Sequence, residues 1–151
     1  MAVSTDEFTG ILNDLIETCK DGEQGFREAA EGITDPSIRS LFQTYAQQRA
    51  DYARELQSEV SRLGSTPETG GSASGALHRG WINLKSAVTG KNDKAIVDEA
   101  ERGEDVAVDQ YQKALAHDIP SDLKAVVTRQ YQGVQEAHNQ VRNLKHKMHS
   151  H

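Results

Sequence analysis

The sequence predicts an all-α protein: a four-helix bundle of two antiparallel hairpins, joined by a long crossover that carries a short extra helix. Three observations predict it. Apolar or small residues recur at alternating steps of four and three over long stretches, the period of a helix face buried against neighbours. Pro-Ser occurs at 36–37 and again at 120–121, each time where one such stripe stops and another starts. A segment rich in Gly, Ser and Thr separates the two halves. The 151 residues, 36% hydrophobic and 26% charged with only 3 prolines, suit one helical domain, 1–151.

The first helix is expected over about 5–33. Ser4 and Glu7 form a capping-box signature, and the stripe runs through Phe8, Leu12, Leu15, Cys19, Gly22, Phe26, Ala29 and Ile33. Thr34-Asp35-Pro36 stops it. Asp35 then caps a second helix over about 36–63, with Pro36 at its first position and Ile38, Phe42, Tyr45, Arg49, Tyr52, Leu56 and Leu63 on the stripe. So short a turn makes the two helices antiparallel neighbours.

Residues 64–76, GSTPETGGSASGA, lack periodicity and predict a loop. A short helix over about 77–88 follows, with Leu77, Trp81, Leu84 and Val88 on one face and Trp81 as its anchor. Asn92 or Asp93 caps a third long helix over about 92–116, with Ile96, Ala100, Gly103, Ala107, Tyr111 and Ala114 inward. The fourth spans about 120–147 on Leu123, Val127, Val134, Val141 and Leu144, and its tail is expected to fray. The link over 64–91 is long enough to run the length of a bundle, so the second and third helices are expected to be parallel.

Charge and composition exclude some functions. A net charge of −6 with no basic stripe argues against nucleic-acid binding; the one local excess is the terminal KHKMHSH. No stretch approaches a membrane span, and MAVSTDEFTG has neither the basic nor the apolar region of a secretory signal, so the cytoplasm is the expected address. The single cysteine, Cys19, forms no internal disulfide and is expected as a small buried hydrophobe. His146, His149 and His151 are expected in the solvated tail.

Two Gly-Glu pairs interrupt the pattern, in DGEQGF at 21–26 and RGEDVA at 102–107. A mid-helix glycine costs about 1 kcal/mol relative to alanine, so Gly22 and Gly103 need a packing reason. Glu23 and Glu104 lie one position off the stripe, where they can turn inward or lie at the core margin.

The paired hairpins, the crossover and these central glutamates resemble the ferritin-like superfamily. The segments LNDLIETCKDGEQGF, GALHRGWINLKSAVTG and AERGEDVAVDQYQKAL are similar to a bacterial family of such bundles known as a domain of unknown function. That resemblance implies the fold and a stress-related or uncharacterised role. Superfamily members that hold two irons supply a Glu from each of the first and third helices and a Glu-x-x-His pair from each of the second and fourth. Glu23 and Glu104 match the first requirement. At the level expected for the second stand Gln48 and Arg49 on one helix and Gln132 on the other. The nearest spacings, Gln48-x-x-Asp51 and Gln135-x-x-His138, carry an amide in place of the bridging carboxylate.

Two ferrous ions bring four positive charges, which neutral glutamines cannot balance, and Arg49 on the core stripe would repel them. The preferred reading is therefore a charge-paired centre of Arg49 with Glu23 or Glu104, in a non-catalytic structural or stress-associated bundle without a cofactor. The alternative is a metal-binding oxidoreductase or iron-handling protein in which Glu23, Glu104, His138 and Asp51 hold one ion of iron, manganese or zinc. A further alternative is an interaction module forming a homodimer through a helix face, since Ile11, Ile16 and Leu41 give the first hairpin a second apolar edge; that edge is equally suited to receive the crossover helix. Tyr45, Tyr52, Tyr111 and Tyr131 are expected to satisfy buried polar partners.

Overall fold

A computed structural model describes residues 5–64, 81 and 84–149. Its elements are α1 (Thr5–Gly32), α2 (Pro36–Arg62), the short α3 (Leu84–Thr89), α4 (Asp93–Leu115) and α5 (Ser121–His149). Ser4, the loop after Gly64, Leu77, His78 and His151 lie outside the described residues. Helix α5 continues past the expected 147 to His149, whose Nε2 lies 2.9 Å from the Asp98 carboxylate on α4.

The caps follow from side-chain chemistry. Asp35 accepts hydrogen bonds from the backbone N–H groups of Ser37 and Ile38, filling two donors that the first turn of α2 leaves open. Asn92 does the same for Ala95 at the start of α4. Gly64 follows the end of α2 at φ +81°, a conformation that suits glycine.

The relative directions of the helices follow from one contact. Asp93, at the start of α4, accepts hydrogen bonds from the backbone N–H and hydroxyl of Thr34 and from the backbone N–H of Asp35, in the turn where α1 ends and α2 begins. Helix α4 therefore runs parallel to α2 and antiparallel to α1, as a long crossover requires. The backbones of α1 and α2, α1 and α4, α4 and α5, and α2 and α5 approach as neighbours, while α2 and α4 stand diagonally opposite. Helix α3 covers the seam between α1 and α4.

The core is divided along its length. One apolar cluster gathers Phe26, Ala29, Ile33, Phe42, Trp81, Ile96 and Val141 near the α1–α2 turn. The other gathers Leu12, Leu15, Leu56, Val60, Leu123 and Val127 towards the α4–α5 turn. Between them, α1 contributes Gly22, α2 Arg49, and α4 Gly103 and Glu104. Ile16 is wholly buried and Leu41 packs on the first cluster, so that edge of the hairpin serves the core.

Candidate functional site

The layer between the two clusters is built around Arg49 and Glu104. Arg49 belongs to α2 and Glu104 to the diagonal helix α4, so the arginine must reach across the bundle. Its Nη2 donates to Glu104 Oε2 at 2.7 Å, with the two side chains 1% and 0% exposed. Nε donates to Gln48 Oε1 at 3.2 Å, and Cζ stands 5.5 Å from the centre of the Phe26 ring. Gly22 explains how the arginine passes α1: a Cβ there would lie 3.1 Å from Nη1 and 3.3 Å from Cγ. Burial by itself pulls the Arg49 pKa down. The adjoining Glu104 charge and hydrogen bond outweigh it and raise the pKa, keeping the guanidinium charged.

Gly103 has a different reason. The indole of Trp81 lies in a notch between α1 and α4, where a Cβ on Gly25 would come 2.5 Å from Cδ2 and one on Gly103 closer still. Trp81 also meets Phe26 edge-on at 5.2 Å between ring centres. One Gly-Glu pair thus makes room for an arginine and the other for a tryptophan.

The glutamates differ as well. Glu104 is wholly buried, and among the described residues its Oε1 has no hydrogen-bond partner. Glu23 lies at the bundle margin, where Oε2 accepts from Arg27 at 2.8 Å and Oε1 lies 3.7 Å from Lys20. Its oxygens thus face Lys20 and Arg27, while Arg49 pairs with Glu104. Asp51 is exposed, with Oδ1 accepting from Gln47 at 2.9 Å and pairing with Arg54 at 2.5 Å; the Gln47 bond, then Arg54, holds its carboxyl below the usual range. His138 Nε2 meets Asp105 Oδ1 at 2.5 Å across α4 and α5. The proposed ligands Glu23, Glu104, Asp51 and His138 each have separate partners, and among the described residues no three His, Cys, Asp or Glu side chains are grouped to hold a metal. A ferritin-type metal pair does not fit this donor set: the Arg49 guanidinium already takes the Glu104 carboxylate, and amides replace the bridging acids.

A second buried polar chain adjoins the layer. Tyr111 Oη donates to Gln130 Oε1 at 2.7 Å, so the Cys19 thiol, 3.1 Å from Oη, is the donor in that contact. Gln130 Nε2 donates to Glu55 Oε1 at 2.7 Å, and Glu55 also pairs with Arg129. Burial pushes the Cys19 thiol up to about 11 and the Tyr111 hydroxyl well above its ordinary value. Tyr131 Oη accepts from Gln112 and Gln135, both at 2.9 Å. Sequence reasoning overlooked Gln130 and Asp105. The signal for Gln130 was its place in the series 123, 127, 130, 134, where a polar residue on an apolar stripe demands buried partners.

Among the described residues no helix is long and apolar enough to cross a membrane. The fold is similar to that of a two-domain Anabaena variabilis protein containing DJ-1/ThiJ/PfpI-like and ferritin-like domains, with a TM-score of 0.80 and 16% identity. That likeness covers 99% of this chain, which spans 42% of the other's length. It is similar also to a mutant of Mycobacterium smegmatis Dps1, with a TM-score of 0.75 and 11% identity over 93% of this chain and 96% of that one. No curated relative matches the sequence. These likenesses establish a ferritin-like four-helix bundle. The family model described as "Domain of unknown function (DUF2383)" matches residues 7–117, and the chain belongs to that family.

Proposed function

We propose that this protein is a non-catalytic structural bundle in which an internal ion pair occupies the place where metal-bearing relatives of the fold would carry their ions. The observation that supports this reading is the Arg49–Glu104 pair, closed at 2.7 Å with both side chains buried. A guanidinium paired in this way supplies the positive charge a buried carboxylate requires, and it neutralises the carboxylate that a dication would need. The reading places the protein in the cytoplasm, with a stress-associated setting that enters through the family resemblance; protein abundance after oxidative or osmotic challenge tests that setting.

The direct experiment is metal analysis of untagged protein purified without a nickel column, followed by calorimetric titration with ferrous, manganous and zinc ions. Substoichiometric metal and no saturable binding are expected. Stoichiometric iron, manganese or zinc that disappears in Glu104→Ala would overturn the reading in favour of a metal-dependent oxidoreductase or iron-handling protein.

A further inference from the structure

We infer that the bundle centre is a receptor for a planar guanidinium-type cation, which the chain fills from within using Arg49. The inference rests on the charge-paired reading above and adds the shape of cation the centre accepts. Each surrounding group matches a different feature of a guanidinium. Glu104 Oε2 takes an in-plane N–H at 2.7 Å, and Gln48 Oε1 accepts from Nε. Phe26 offers its ring 5.5 Å from Cζ, suited to a delocalised, weakly hydrated cation. Gly22 keeps the approach clear, since a Cβ there would crowd Nη1 and Cγ.

Glu104 Oε1 carries the inference further. It is buried and, among the described residues, without a hydrogen-bond partner, so the tethered arginine engages one carboxylate oxygen where a guanidinium can engage two. A guanidinium released from the tether can take the second oxygen as well. A spherical cation of the same charge is drawn to the ring as well, but it holds its water more tightly and lacks the in-plane fork. Dications in addition require several carboxylates, and the ion pair here is closed by Glu104 alone.

Chemical rescue of Arg49→Ala tests the idea. The substitution deletes the equivalent of ethylguanidinium and is expected to lower the melting temperature by roughly 10 °C. Millimolar ethylguanidinium should recover part of that loss, with saturation, while ethylammonium, manganous and zinc ions should not. The recovery should vanish in Arg49→Ala/Glu104→Gln. If Arg49→Ala does not fold, Arg49→Lys keeps the charge without the plane and is expected to melt well below the wild type. A lysine variant as stable as the wild type would overturn the inference, as would rescue by ethylammonium or by metal ions equal to that by ethylguanidinium. Either result can occur in a wild-type protein free of metal, which leaves the proposed function standing; stoichiometric wild-type metal would remove both.

Discussion

Trp81 lies so close to Gly103 that no other residue at that position leaves the indole where it is. Alanine at 103 gains about 1 kcal/mol of helix propensity, while overpacking costs roughly 1–3 kcal/mol. The indole is a rigid ring wedged also against Gly25 and Phe26, so the overlap outweighs the propensity and Gly103→Ala should destabilise. Trp81→Ala removes a buried ring and should cost roughly 3–5 kcal/mol. In that background the sign reverses, and Gly103→Ala becomes stabilising by up to about 1 kcal/mol. Urea titrations of the four proteins measure the cycle. Unchanged destabilisation by Gly103→Ala in both backgrounds would show that the glycine has nothing to do with the ring.

Removing Arg49 and removing Glu23 should have unequal consequences. Arg49→Leu leaves Glu104 buried without its cation, a loss of roughly 3–5 kcal/mol. Arg49→Leu/Glu104→Leu removes both charges and should recover much of that loss, because two apolar side chains carry no desolvation cost. Glu23→Gln, at the margin beside Arg27 and Lys20, should change stability by less than about 1 kcal/mol. Chemical denaturation decides between them. Equal losses for Glu23→Gln and Arg49→Leu would mean that Glu23 shares the central pair.

The contrast between the two glutamates marks how far the sequence could be read. Periodicity located the long helices, because a four-and-three stripe has one way to be buried in a bundle. Asp35, Asn92 and the Pro-Ser turns located their starts, because capping is local chemistry. The stripe left both Glu23 and Glu104 able to turn inward, yet a local difference separates them: Lys20 and Arg27 stand three and four positions from Glu23, whereas Glu104 has Ala100, Glu101, Ala107 and Val108 at the corresponding steps. A carboxylate with no cation on its own helix face must find one elsewhere. What remained illegible was long-range. Nothing near Gly103 announces that a tryptophan from the crossover fills its side, and nothing near His138 announces Asp105.

The Asp35 cap predicts a pH response. Its carboxyl is held below the ordinary aspartate range, first by the Ser37 hydroxyl and then by the Ile38 and Ser37 N–H groups. A depressed folded-state pKa makes the native state favour the charged form, so the contribution is fully present above the unfolded value of about 3.9. It is lost as pH falls through the lower folded-state value. Asp35→Ala should therefore lower the melting temperature near neutrality and should cost progressively less in acid. A destabilisation that stays constant from neutral pH to pH 3 would exclude the charged cap as its origin.

Cys19 titrates in the opposite sense, and its environment also decides its reactivity. Tyr111 gives its hydroxyl proton to Gln130, so the thiol must donate its own to Tyr111, and burial raises the thiol pKa to about 11. The reactive thiolate is therefore suppressed in the native fold, and a thiol reagent at pH 8 should modify Cys19 only at the rate at which the bundle opens. Folding keeps the thiol neutral while the unfolded chain ionises near 8.5, so this contribution is complete below that value and declines as pH rises through about 11. Tyr111→Phe leaves the thiol and the Gln130 carbonyl without their partner and should cost roughly 1–3 kcal/mol. It should also speed modification of Cys19 by the same factor by which it raises the open population. Rapid labelling of the native wild type, at a rate independent of added urea, would contradict the buried thiol and the hydrogen-bond direction derived from it.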